Sequence, residues 1–454
     1  MLARTSRIEN LLQDLGGVPV VTDPQRVRKR SRDFFWYSPV LNEELKNVAG
    51  DVLVEATSEA HVIATAAACA RHGVPLTVRG GGTGNYGQCM PLQGGVILDI
   101  MGMDKIQWHR ADVVRAEPGI KLSKLDDALR PNGWESRMHP STKRTASLGG
   151  FIAGGSGGVG SVTWGGLVEP GNILAARVVT LEAEPRVIEL RADAAQKINR
   201  AYGTTGIITA LEMPLAPAYP WIDVIVAFDS IEAALKGGQA VAYADGIAKK
   251  LVTPIGWPLP RWFTPLKDAA PEGKSLLLCM IAQNSIEPFK DIVRRAGGEV
   301  TLEKPTAEEP GSIPLYEYCW NHTTLQVLKA DRAYTYLQLL YPPDRAIESA
   351  LKMIDIFGDE LMPHFEFIRF GGKMTFSGLP VVRYTTRERL WDIIAIHEDN
   401  GIMVANPHVV TLEDGSRHKR ANADQFGFKR EVDPLNLLNP GKMRSFTAAA
   451  AGSA

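Results

Sequence analysis

Strand-sized apolar runs, broken by Gly and Pro, dominate the chain, and amphipathic helical stretches fall between them. Residues 5–15 place Ile8, Leu11, Leu12 and Leu15 on one stripe, and Gly16-Gly17 stops that helix. Residues 52–56 predict a strand. Ser58 then caps a helix that buries Val62, Ala66 and Cys69 and ends at His72-Gly73. A strand at 76–79 follows at once, so this region is a β-α-β unit. Strands are further predicted at 96–100 and 113–117, a turn at Pro118-Gly119, a helix at 122–129, and strands at 174–181 and 186–190. Residues 202–215, YGTTGIITALEMPL, form one more extended element.

The texture changes near residue 216, where glycine becomes sparse. Apolar runs at 221–228, 251–255, 275–283, 299–302, 334–341, 365–370 and 374–382 predict strands. Helical stretches sit among them at 230–243, 286–296, 344–357 and 386–399. This mixture predicts an α+β unit with an antiparallel sheet covered on one face. Residues 433–446 read as turn-rich, and the Ala-rich tail at 447–454 as disordered.

Candidate chemistry concentrates in glycine. The stretch 75–87, PLTVRGGGTGNYG, runs from a strand into a loop containing Gly80, Gly81, Gly82, Gly84 and Gly87. Successive backbone N–H groups in such a loop form an anion nest, and Arg79 adds a fixed positive charge. The pattern suits a pyrophosphate. Gly82, Gly84 and Gly87 satisfy G-x-G-x-x-G, but Pro91 and the Gly94-Gly95 pair leave no room for the helix that a nicotinamide dinucleotide fingerprint requires. The second region, 148–166, reads LGGFIAGGSGGVGSVTWGG. Its glycine density argues against any helix or regular strand. The interleaved Phe151, Ile152, Val159, Val162 and Trp164 argue for an ordered loop pressed on a flat ligand rather than a linker.

Composition narrows the class. The 454 residues carry a net charge of −1, with no basic stripe that would favour nucleic acid. The short cluster Arg26, Arg28, Lys29, Arg30, Arg32 reads as a solvated segment. Cys69, Cys89, Cys279 and Cys319 stand singly, without metal or disulfide spacing. No apolar run is long enough to cross a bilayer and no signal-peptide core begins the chain, so a cytoplasmic location is expected.

Four stretches, VRGGGTGNYG, SLGGFIAGGSGG followed by TWGG, YGTTGIITALEMPL and DPLNLLNPGK, together resemble the FAD-linked oxidase superfamily. This is the group of vanillyl alcohol oxidase, p-cresol methylhydroxylase, D-lactate dehydrogenase and the glycolate oxidase flavin subunit. The resemblance implies an α+β fold: a two-part FAD-binding domain of the p-cresol methylhydroxylase type with an inserted α+β cap built on an antiparallel sheet. The FAD-binding domain would take 1–215, the cap 216–404, and a return segment 405–446. By position, Arg79, Gly80, Gly81, Gly82, Thr83, Gly84 and Asn85 would hold the pyrophosphate. Gly149, Gly150, Ser156 and Gly157 would line the flavin, and Ile207 or Ile208 would touch it through the backbone. Members that bind FAD covalently use a His or Cys where Thr83 and Thr145 stand here, so non-covalent FAD is expected. The metal-binding members carry histidines and an acid that residues 369–376 lack, and Asn406-Pro407-His408 keeps one His, so no metal is expected.

In this superfamily the cap supplies most of the groups that act on substrate. Three clusters are candidates here. Tyr316, Tyr318, Trp320, Asn321 and His322 form a polar-aromatic patch, with Tyr318 and His322 as catalytic candidates. Arg369, Lys373 and Arg383 are carboxylate binders, Arg369 foremost. His408 stands where the superfamily often has a functional His, and Asn406 beside it would donate to a substrate oxygen; both are catalytic candidates. The expected function is hydride transfer from a small alcohol, hydroxy acid or related aromatic or carboxylate substrate to flavin N5. The alternatives are a flavin reductase using NAD(P)H and a non-catalytic flavin-binding subunit. The electron acceptor is left unassigned and a homodimer is left open.

Overall fold

The computed structural model describes residues 2–155, 157–307, 313–417 and 422–446. The predicted disordered tail lies outside them. The first sheet has the order Val20–Val21, Val52–Glu55, Val96–Asp99, Leu76–Arg79, and its last three strands run parallel. The helix Glu59–His72 makes the crossover; Ser58 caps its start and Gly73, left-handed at φ 60°, ends it. The second sheet is antiparallel, in the order Ile106–Arg110, Val113–Ala116, Ile207–Pro217, Ala175–Val179, Val187–Arg191, with Trp134–Ser136 also on Ile207–Pro217. Among the described residues beyond 220, three antiparallel sheets follow. One is built on Trp221–Phe228 and Ser275–Ala282, one on Tyr334–Tyr336 and Val381–Arg383, and one on Phe365–Phe370 and Lys373–Gly378. Helices Ile231–Tyr243 and Ile286–Arg295 bury Ala234, Leu235, Phe289 and Val293 in one core with Phe228, Phe365 and Phe376.

The end of the chain comes back to the first sheet. Leu76 N donates to Leu437 O at 2.8 Å, and Asn439 N donates to Leu76 O at 2.7 Å, so the return segment lies beside the strand that feeds the glycine loop. The α+β character read from the sequence is the character observed.

Some elements differ from expectation. The glycine-dense stretch does contain helix: Leu148–Gly154 is a short one, started by Ser147, whose Oγ accepts from Gly150 N. Ser161–Trp164 adds one turn. Residues 17–51, left without elements, hold Pro24–Arg30 and Pro39–Leu45, each begun by a side-chain cap and a proline. The basic cluster there is not merely solvated. Arg30 pairs with buried Asp99 at 2.5 Å, Arg26 pairs with Glu55, and Arg28 and Arg32 both donate to Lys46 O. The predicted strand 334–341 is two strands, and helices Asn321–Ala330 and Ala423–Val432 went unread.

One buried titratable group gives a stability prediction. His397 stacks on Phe357 with centroids 5.0 Å apart, and its Nδ1–H donates to Ile393 O. Burial pushes its imidazole down to about 4. A lowered histidine keeps its stabilising effect above its unfolded value and loses it as pH falls through 6.5 toward 4. Between pH 7 and pH 5 the protein will lose about 2 kcal/mol more than a His397→Leu variant, read from denaturation curves at both pH values. Parallel losses in the two proteins would rule the linkage out.

Candidate functional site

The strand Leu76–Arg79 delivers its backbone into the first glycine loop, and the helix Leu148–Gly154 delivers the second, at one side of a cavity of ≈ 490 Å³. Gly80, Gly81, Gly82, Thr83, Gly84 and Asn85 all line it. So do Gly149, Gly150, Gly157 and Ile208. Ile207 instead points into the core under the first sheet. Ser156 lies outside the described residues.

The loops touch. Gly81 N donates to Ser147 Oγ at 3.3 Å, and a Cβ on Gly81 would collide with Thr145 O. Gly82 is left-handed at φ 63°, and the guanidinium of Arg79 fills the space where its side chain would go. Arg79 is 7% exposed, and its Nε and Nη1 have no hydrogen-bond partner. A buried cation with idle donors beside a nest of backbone amides is a strong match for a phosphate group. The residues present therefore fit a pyrophosphate-bearing cofactor. Beneath the loop, Lys442 donates to Gly87 O and faces buried Asp33. Desolvation pushes the Asp33 carboxyl up to about 6 and the Lys442 ammonium down to about 7, each offset in part by the other's charge.

The opposite wall comes from residues 317–379. Glu317, Trp320, Asn321, His322, Gln338 and Ser377 all face the cavity. Trp320 has φ 53° and ψ −141°, a conformation that bulky residues avoid. Its N–H donates to Glu366 Oε1 at 2.6 Å; Glu366 is buried and also takes hydrogen bonds from Thr253 Oγ1 and His364 Nε2. This clamp sets the indole against Gly157, 3.6 Å from where a Cβ would stand. His364 thus supports the cavity wall. His322 Nδ1 meets Glu317 Oε2 at 2.8 Å. Asn321 Nδ2 donates to Asn85 Oδ1 at 3.5 Å and Gln338 Nε2 to Asn321 Oδ1 at 3.4 Å, so the two walls are joined by amides.

Of the five expected catalytic residues, only His322 reaches this cavity. Tyr318 is buried against Phe263. Arg369 pairs with Asp245 at 2.6 Å on the surface. Asn406 holds a turn, with Nδ2 on Gly415 O and Oδ1 accepting from His408 N. His408 is fully buried between Ser38 Oγ and Tyr336 O, 2.8 Å from each, and serves as a structural tie. Lys373 and Arg383 also lie off the cavity. Sequence reasoning missed Glu317, Gln338, Ser377 and the N-terminal Asp33-Phe34. The only available signal was for Glu317, which sits inside the polar-aromatic patch.

Residues 50–190 match the family described as FAD binding domain. The glycolate oxidase subunit GlcD of Escherichia coli K12 is 29% identical over 285 residues, covering 54% of this chain and 52% of that one. The D-lactate dehydrogenase of Archaeoglobus fulgidus is 24% identical over 413 residues, covering 82% and 86%. The chain spans about half the length of the first curated relatives it matches. Among solved structures, alkyldihydroxyacetonephosphate synthase superposes with a TM-score of 0.70 at 14% identity, covering 96% of this chain and 85% of that one. The 4-ethylphenol oxidase of Gulosibacter chungangensis superposes with a TM-score of 0.68 at 15% identity, covering 97% of each chain. These superpositions show the fold. The domain match, the sequence relatives and the two glycine loops together define a flavoprotein whose cofactor is FAD. Residues 50–190 thus form an FAD-binding domain, and the chain is similar to FAD-linked oxidases and dehydrogenases.

Proposed function

We propose that the protein is an FAD-dependent oxidoreductase that takes a hydride from the carbon of a CH–OH group. The observation that carries this reading is the His322–Glu317 pair, which opens on the same cavity as the two glycine loops. Relatives named for glycolate and D-lactate support alcohol-type chemistry. In this reading residues 1–215 and 405–446 hold the cofactor and 216–404 provide the substrate wall.

Glu317 accepts the Nδ1–H of His322, which fixes the tautomer and leaves a lone pair on Nε2. That nitrogen accepts the hydroxyl proton while the C–H bond breaks and the carbonyl forms. When bound, FAD supplies the two-electron acceptor for the departing hydride. The amides of Asn321 and Gln338 orient the substrate oxygen, and Trp320 limits water on that side.

The test is anaerobic mixing of FAD-loaded protein with a panel of alcohols and hydroxy acids. Visible flavin absorption will bleach, with one carbonyl product per flavin. Bleaching by NADPH and by no alcohol would replace this reading with the reductase. A second measurement concerns attachment. Thr83 and Thr145 both line the cavity, and neither hydroxyl suits a flavin bond. Acid precipitation will therefore release all of the yellow colour into the supernatant; a coloured pellet would refute non-covalent binding.

A further inference from the structure

The cavity has two walls of unlike charge. The glycine-loop wall carries Arg144 and Arg200, with Arg79 buried just behind it. The opposite wall carries Glu317, His322, Asn321, Gln338 and Ser377, with Trp320, Leu325 and Leu379. Among the described residues, no lysine or arginine reaches that second wall. The three cations expected to bind a carboxylate are elsewhere. Arg369 pairs with Asp245, Lys373 is 67% exposed, 3.9 Å from Asp344, and Arg383 is exposed.

We propose that the substrate carries no carboxylate and is an uncharged alcohol, held by the Asn321 and Gln338 amides, the Ser377 hydroxyl and the Trp320 indole. The proposal rests on the oxidoreductase reading above. Asp33 is opposed by Lys442, and Glu317 offsets one of the three arginines Arg79, Arg144 and Arg200. A pyrophosphate then adds about two negative charges, which fall to the arginines of the glycine-loop wall. Among the described residues, nothing positive is then left over for a second anion. The His322–Glu317 pair gives no help in either protonation state. With a neutral imidazole the pair is negative, and with imidazolium it is neutral. A buried amide, hydroxyl and indole surface rejects a charged ligand and accepts a hydroxyl-bearing one. The structure thus separates this site from those of the relatives named for glycolate and D-lactate, whose substrates are both carboxylates.

The experiment uses matched pairs that differ only in carboxylate against hydroxymethyl: glycolate with ethylene glycol, D-lactate with (R)-propane-1,2-diol, and (R)-mandelate with (R)-1-phenylethane-1,2-diol. FAD-loaded protein is mixed anaerobically with each, and the bleaching rate per unit concentration is measured. The diol of at least one pair will react at least ~100-fold faster than its acid. Faster reaction of the acid in every reactive pair overturns the proposal. If neither member of any pair bleaches the flavin, the oxidoreductase reading fails on these substrates, and binding decides the charge question. Perturbation of the oxidised flavin spectrum by diols at lower concentration than by acids supports an uncharged ligand. Tighter binding of acids, or no perturbation by any diol, overturns it. Glu317→Gln provides a second check, because removing the negative charge will raise acid affinity relative to the matched diol by at least ~10-fold.

Discussion

A Gly81→Ala variant will purify without flavin. The methyl group would sit far inside contact distance of Thr145 O and 3.3 Å from both Ala146 Cα and Ser147 N. All three neighbours are backbone, so no rotamer change makes room. The first glycine loop must lift off the second, and both loops line the cofactor cavity. Overpacking of this kind costs about 1–3 kcal/mol in stability. The larger effect falls on the cofactor, because amides that form an anion nest work only when held in one arrangement. FAD affinity will fall at least ~100-fold, measured by fluorescence quenching on titration of the apoprotein. Gly246→Ala is the control. Its methyl group would meet nothing within 4 Å, and the residue lies off the cavity. That variant will keep its flavin. If Gly81→Ala binds FAD as the parent protein does, the two loops are not the cofactor's cradle.

This cradle was legible in the sequence because glycine there serves the backbone. The runs that feed the loops are bounded by Gly and Pro, and the strands Leu76–Arg79, Trp221–Phe228 and Phe365–Phe370 lie where the apolar pattern put them. The helix Leu148–Gly154 escaped the reading because glycine propensity argued against it. What overrides propensity there is packing: a Cβ on Gly149 would crowd Pro118, while Phe151 and Ile152 are buried. Residues 17–51 escaped because their helices are too short to show a period, although Asp33 and Phe34 reach the cavity. The catalytic candidates were the least legible. His408 and His322 each sit among aromatic residues, and their difference lies in neighbours hundreds of positions away or around a turn. His408 packs on Ser38 and Tyr336, whereas the left-handed kink at Trp320 sets His322 beside Glu317. Neither a kink stabilised by a distant Glu366 nor a partner across the fold leaves a pattern in local sequence.

Truncating the imidazole tests the chemistry itself. His322→Ala will keep its flavin and its affinity for uncharged ligands, because His322 lies on the wall opposite the glycine loops and its side chain pairs with Glu317. Its turnover will fall by about 10²–10⁴-fold, the usual cost of losing a positioned proton acceptor. The loss will appear in kcat and not in KM, since Asn321 and Gln338 still hold the substrate. Imidazole added to the buffer will restore part of the rate, an effect that a merely structural histidine would not give. Glu317→Gln will lose less, about 10–100-fold, because the base remains and only its orientation and the charge behind it are weakened. His408→Asn separates the two histidines. It removes a tie to Tyr336 O in the core, so it will lower stability while leaving the rate per folded, flavin-loaded molecule within about twofold. If His408→Asn stops turnover in loaded protein and His322→Ala does not, the proton acceptor is not in this cavity wall.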